Sequence, residues 1–283
     1  MYEIILITFV IINLPILVLF NQITKYINIY DEGDNVRKFQ RRKVALFGGI
    51  IFTYNLLIFF FIDNFFQLKL FNNYYDTREF SSLILGIILF FSIGLYDDKF
   101  NLSANKKLFL NSFVILLLIL LDDRLIIKNL NFSFIEHPID LRNFSYMFTI
   151  LCILLLINAL NMFDGVNLQT GIYSIIVFII FILKGIFVQL SLILIFITLF
   201  FLYFNLKNRA FLGDSGTQLL AFLISYIFIK SYNYGNSFNP EEIFIILAIP
   251  GLDMFRLFIL RLINGKNPFY PDTNHIHHIL LNK

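Results

Sequence analysis

A chain of 283 residues that is 58% hydrophobic and only 14% charged is not a water-soluble domain, because such domains carry about a quarter charged residues. Its net charge of +3, with basic residues in scattered clusters, excludes a nucleic-acid binder built on a basic stripe. One cysteine, Cys152, inside an apolar run, excludes a disulfide framework.

Mean hydropathy is +0.78. Nine apolar stretches follow one another at about 4–20, 44–62, 80–96, 108–121, 144–160, 168–183, 186–204, 217–230 and 243–263. None alternates with the period of a barrel strand, so each is expected to be a helix. The expectation is therefore an all-α, polytopic membrane bundle of about nine transmembrane helices in a single domain, 1–283. The first stretch lacks a basic leader region and a small-residue cleavage site, and is read as a retained span.

The connections at 21–43, 97–107, 161–167, 205–216 and 264–283, with Arg256 and Arg261, hold 15 of the 22 Lys and Arg. Positive charge marks the cytoplasmic side. The N-terminus is thus expected outside and the C-terminus inside. On the outer side, 125–135 reads as a short hairpin turning near Lys128-Asn129, and His137, before Pro138, as a plain loop histidine.

Every polar cluster with chemical potential falls on the inner side. Asp97-Asp98 closes the third stretch, followed by Lys99, Lys106 and Lys107. Helical neighbours lie about 100° apart, so both carboxylates reach one point only if the helix end frays. A frayed end lets one touch a metal while the other takes a proton, since paired acids push their pKa values apart. The alternative is an interfacial acidic pair balanced by the lysines. Asn158 and Asn161 share a helical face that Asp164 continues, and Gly165 allows a sharp turn. Buried amides cost free energy unless paired. They form either a surface for a polar ligand or hydrogen bonds between helices before an Asp-Gly turn.

Gly213-Asp214-Ser215-Gly216-Thr217 precedes the eighth stretch. An acid flanked by glycines at a helix start suits a metal–phosphate site; it equally suits an N-cap by Ser215 or Thr217. Asp253 and Arg256, beyond Pro250, are spaced to pair. His275, His277 and His278 are three of the four histidines, a run able to bind zinc or phosphate oxygens.

Taken together, the pieces resemble the polyprenyl-phosphate N-acetylhexosamine-1-phosphate transferases of glycosyltransferase family 4. The matching pieces are Arg37-Lys38 with Gly48-Gly49, Gly94-x-x-Asp97-Asp98 with Leu102-Ser103 and Lys107-Leu108, Asn158-x-x-Asn161-x-x-Asp164-Gly165, Gly213-Asp214-x-Gly216, and Pro271-Asp272-x-x-His275-Ile-His277-His278. Their order agrees from about residue 31 to 280. The resemblance implies transfer of a sugar 1-phosphate from a UDP-N-acetylhexosamine to undecaprenyl phosphate, releasing UMP, in a bacterial cytoplasmic (inner) membrane with the active site on the cytoplasmic face. It implies Mg2+, with Mn2+ as a substitute, membrane lipid as a partner, no nucleic acid, and a homodimer as one assembly open to the chain. Asp214 would lead in binding the metal, and Asp98 would support either the metal or the catalytic role of Asp97. Asp97 would deprotonate or orient the lipid phosphate. Asn158, Asn161, Asp164 and the three histidines would bind the nucleotide sugar, and Arg37, Lys38 and Lys107 would attract phosphate.

Four departures accompany the resemblance. Gln40 stands where His is frequent, Asn167-Leu168 where a second acid is frequent, and Thr273 where Arg is usual. The chain ends five residues after His278, where members continue through one or two further spans. Two other readings compete with the transferase: an ion-coupled transporter, since Asp and Asn clusters on broken helices describe those too, and an inactive, binding-only relative.

Overall fold

The computed structural model describes residues 2–31, 43–66, 76–235, 237–263 and 265. Among these residues, ten α-helices carry the fold: α1 (Tyr2–Ile27), α2 (Gly48–Phe66), α3 (Thr77–Phe100), α4 (Ala104–Leu121), α5 (Ser145–Phe163), α6 (Gln169–Leu183), α7 (Val188–Leu206), α8 (Gly213–Gly235), α9 (Pro240–Ile246) and α10 (Ala248–Ile263). The apolar stretches of the sequence are helical over most of their length, as an apolar medium requires of a backbone that must satisfy its own hydrogen bonds, although Val44–Leu46, at the start of the second, form a strand.

Among the described residues, six helices are long and apolar enough to cross a membrane, or seven if α9 and α10 count as one. The difference from nine has physical causes. α6 has 15 residues, about 22 Å of helix, short of the roughly 30 Å hydrocarbon layer. α8 is long but carries polar residues along its length. The ninth stretch is two helices bent by 76° at Leu247, so it adds a span only if the bent pair is counted as one. The outward faces fit a bilayer: α1 alone exposes Leu6, Ile7, Val10, Ile11, Leu14, Leu17 and Val18. The molecule is a multi-pass membrane protein.

α8 is the axle. Every residue from Ser215 to Tyr232 is buried, enclosed chiefly by α2, α3 and α5. α3 lies close because it offers glycine where α8 is bulky. Gly86 receives the Phe222 ring, which stacks on Phe90 with centroids 4.9 Å apart. A side chain at Gly94 would meet the Asp214 carbonyl oxygen at 2.6 Å.

A small clip fixes where α8 begins. β1 (Tyr30–Asp31) runs antiparallel to β2 (Val44–Leu46), and β2 runs parallel to β5 (Ala210–Phe211), with Ala45 opposite Ala210. β2 feeds α2 and β5 feeds α8. The pairing continues past the strands, with Phe47 N–H donating to Phe211 O at 3.2 Å and Gly49 N–H to Leu212 O at 3.3 Å. The starts of α2 and α8 are thereby held side by side.

At the other end of α8, Lys230 is fully buried, ion-paired to Asp122 at 2.6 Å and Glu79 at 3.4 Å. Ser82 donates to Asp122 at 3.0 Å, and Arg124 pairs with Glu79. Nearby, β3 (Asn129–Leu130) pairs antiparallel with β4 (Ile139–Asp140). The hairpin expected within 125–135 is therefore displaced: Lys128-Asn129 leads into a strand and the turn lies beyond it. The sequence signal was a β-prone run, but Leu125 is drawn into a 3-10 turn and buried.

Candidate active site

The polar clusters converge where α3 ends, α5 ends, and α4 and α8 begin. α3 does not fray at Asp97-Asp98. It runs on to Phe100 and stops at Asn101, in the left-handed region with φ 53°. The two carboxylates instead point to two different helices, which resolves the 100° between them.

Asp97 is buried and serves α4. Its Oδ1 accepts from Leu102 N–H at 2.7 Å, tightening the turn, and its Oδ2 meets the Lys107 ammonium at 2.8 Å. Asp98 serves α8. Its Oδ1 accepts from Asp214 N–H at 2.7 Å, and its Oδ2 from Ser215 N–H at 3.1 Å and Ser215 Oγ at 2.7 Å. Helix N-termini leave four N–H groups without partners and favour negative charge. Asp98 supplies both needs from a neighbouring helix. The cap expected from Ser215 or Thr217 is thus provided by Asp98, and Ser215 donates to it. Gly213 makes the approach feasible, with φ 73° and a Cβ position only 2.8 Å from Asp98 Oδ2.

Asp214, at the head of α8, is the open carboxylate. Its Oδ1 accepts from Lys107 Nζ at 2.5 Å and from Asn161 Nδ2. No described residue hydrogen-bonds its Oδ2, and its side chain is 29% exposed. Asn161 also reaches Thr217 Oγ1 at 3.3 Å. Lys107 therefore bridges two carboxylates, a larger role than general attraction of phosphate. Asp164 follows α5. Burial pushes its carboxyl up to about 7; the charges of Asp214 and Asp98 push it the same way, against a lowering contribution from Thr170.

Not every expected residue joins. Asn158 is exposed and donates to Leu154 O at 2.8 Å within its own helix, so its face diverges from that of Asn161. Asp253 and Arg256 pair at 2.9 Å, as their spacing implies. Arg37, Lys38, His275, His277 and His278 lie outside the described residues. Sequence reasoning passed over Ser215 as a partner of Asp98, and Gly94 as the point where α3 meets α8. The small residues on both helices were the available signal.

The donors here are oxygens, which suits a hard divalent cation. No three Asp, Glu, His or Cys among the described residues form a ready-made cage. Mg2+ does not demand one, since it commonly takes one or two carboxylates and completes its shell with water and substrate phosphate. Asp214, whose Oδ2 no described residue engages and whose side chain is 29% exposed, is the residue that could hold such a cation. Asp98, expected to share the metal, already spends both oxygens on α8.

Residues 80–232, which hold α3 through most of α8 and with them Asp97, Asp98, Lys107, Asn161, Asp164 and Asp214, match the family model described as glycosyl transferase family 4. The chain belongs to glycosyl transferase family 4. Among its relatives is the undecaprenyl-phosphate alpha-N-acetylglucosaminyl 1-phosphate transferase of Yersinia pestis, 28% identical over 260 residues that cover 87% of this chain and 68% of the relative. The protein of the same name from Escherichia coli K12 is 26% identical over 253 residues, 84% of this chain and 64% of the relative. A probable undecaprenyl-phosphate N-acetylglucosaminyl 1-phosphate transferase of Bacillus subtilis is 29% identical over 216 residues, 74% and 60%. The chain spans about two thirds of the length of these curated relatives. Of the motifs behind that resemblance, those among the described residues bring Asp97, Asp98, Asn161, Asp164 and Asp214 to one end of the bundle.

Proposed function

We propose that this protein transfers an N-acetylhexosamine 1-phosphate from a UDP-sugar to undecaprenyl phosphate, opening the assembly of a bacterial cell-surface glycan. The observation that carries the reading is the Asp97–Lys107–Asp214 cluster with Asn161, at the mouth of a family 4 bundle. The names of the relatives supply the acceptor and point to N-acetylglucosamine as the first sugar to try. The excess of Lys and Arg in the connections on this side supports a cytoplasmic face for the cluster.

In the reaction, a phosphate oxygen of the lipid attacks the β-phosphorus of the UDP-sugar. A new P–O bond forms, the anhydride bond to the α-phosphate breaks, and UMP leaves with the bridging oxygen. Phosphoryl transfer asks mainly for positioning and charge neutralisation. Mg2+, held by Asp214 Oδ2, would neutralise the diphosphate. Lys107 supplies fixed positive charge beside it. Asp97, oriented by Leu102 N–H, holds or takes the proton of the lipid phosphate. Asn161 keeps Asp214 in one rotamer, and Asp98 keeps the start of α8 in place.

The test is UMP release by detergent-purified protein with undecaprenyl phosphate, Mg2+ and a panel of UDP-N-acetyl sugars. Turnover with one sugar, lost in Asp97→Asn and Asp214→Asn and on chelation, is the expected result. A folded protein that turns over none of them overturns the reading.

A further inference from the structure

α3 and α4 pack together and the chain reverses between them at 101–103; a groove of about 660 Å³ lies between the two helices beside that reversal. Its walls include Ile93 and Tyr96 of α3 and Phe109 and Leu110 of α4, and Asn105 and Lys106 form one end. The order follows from the helix. Asn105 and Lys106 lie in the first turn of α4, and Phe109 and Leu110, four residues on, share their faces one turn deeper. The groove is therefore polar and cationic at the helix ends and apolar along the helices. Tyr96 and Phe109 are exposed, so it opens on the outer surface of the bundle.

Lys106 and Lys107 are neighbours with different work, about 100° apart around the helix. Lys107 is engaged by Asp97 and Asp214, and none of these three lines the groove. Lys106 does line it, is exposed, and pairs with no carboxylate among the described residues. No acid lines the groove, so its charge there is positive. α4 adds to this: its first turn holds no acid and Ser103 makes no side-chain cap bond, so the helix end also favours an anion. A lysine that merely reaches water from an apolar face needs no concavity beneath it. What this surface complements is an anionic head followed by an apolar tail.

We infer that the α3–α4 groove binds an anionic phospholipid of the membrane, with its phosphodiester on Lys106 and Asn105 and an acyl chain along Ile93, Phe109 and Leu110. Basic pockets between transmembrane helices on the cytoplasmic side hold such headgroups, and the excess of Lys and Arg supports that side for this end of the bundle. The Tyr96 ring, tilted against Phe100 with centroids 4.6 Å apart, sits one turn from the end of α3, as tyrosines at a membrane interface do. The reacting phosphate of the proposed transfer is a different one, because it must meet Lys107 and Asp97. The inference stands apart from the transferase reading, and its test needs no turnover.

The test is native mass spectrometry of the full chain in detergent, titrated with phosphatidylglycerol or with phosphatidylcholine of the same acyl chains, for wild type, Lys106→Gln and Lys99→Gln. Lys99, which stands 5.3 Å from the Phe100 ring centroid, is a nearby lysine that does not line the groove. Both lysines are exposed, so the variants fold. The expected result is one phosphatidylglycerol bound in preference to phosphatidylcholine, held about fivefold more weakly by Lys106→Gln and equally well by Lys99→Gln. Equal losses in the two variants, or no preference for the anionic lipid, overturn the site, since they mark diffuse attraction to a basic surface. Displacement of the bound lipid by equimolar undecaprenyl phosphate assigns the groove to the acceptor instead, and a dimer that takes up no phosphatidylglycerol assigns it to a second copy of the chain; either result overturns the inference.

Discussion

Asp98 illustrates how much one carboxylate organises. It accepts from two backbone N–H groups and a hydroxyl at the head of α8, and an amide has only one oxygen to offer them. Asp98→Asn is expected to cost about 1–2 kcal/mol, read as a lowered melting temperature in detergent, together with weakened turnover because Asp214 sits on the same turn. Asp164 gives a prediction of different sign. Its folded-state pKa of about 7 lies above the ordinary carboxyl value of 3.8, so charging it costs the folded state. The favourable contribution is complete below about pH 4 and disappears as pH rises through about 7. In EDTA, Asp164→Asn should therefore gain a few degrees on wild type between pH 5 and pH 8. A gap independent of pH counts against the shift.

The elements make their own demands. α3 and α8 touch through glycine, and a methyl at Gly94 would press on the backbone of Asp214 and Ser215 rather than on a movable side chain. Gly94→Ala should lower stability by about 1–3 kcal/mol and turnover more steeply, because the helices part at the site; thermal unfolding and UMP release report the two effects. At the opposite end, Lys230→Met leaves Glu79 and Asp122 buried without their common cation. The expected cost is about 3–5 kcal/mol. The triple variant Lys230→Met, Glu79→Gln, Asp122→Asn should recover much of it, which separates loss of a charge partner from loss of packing. These contacts were only partly legible in the sequence. Spacing alone announced the Asp253–Arg256 pair, because helical geometry fixes it locally. Nothing local announces that Lys230 meets residues more than 100 positions earlier, or that Asp97 and Asp98 divide their attention between α4 and α8. Asn158 shows the same limit: it lies three residues before Asn161, yet its side chain is exposed and donates within α5.

For the molecule entire, hydropathy told where helices are but not which of them face lipid, since an apolar side chain serves equally against a bilayer or a neighbouring helix. The distinguishing sign was polarity. α8 carries Asp214, Gln218 and Lys230 and is the most enclosed element, whereas α1, almost free of charge, lies outermost with a broad apolar face. The same enclosure bears on how the protein is made. A helix with two charged residues and a glutamine gains little by entering lipid alone. Its three wall helices, α2, α3 and α5, all precede it in the chain. Synthesis from the N-terminus therefore builds the socket before its occupant, and α8 leaves the insertion machinery into protein already in the membrane rather than into lipid.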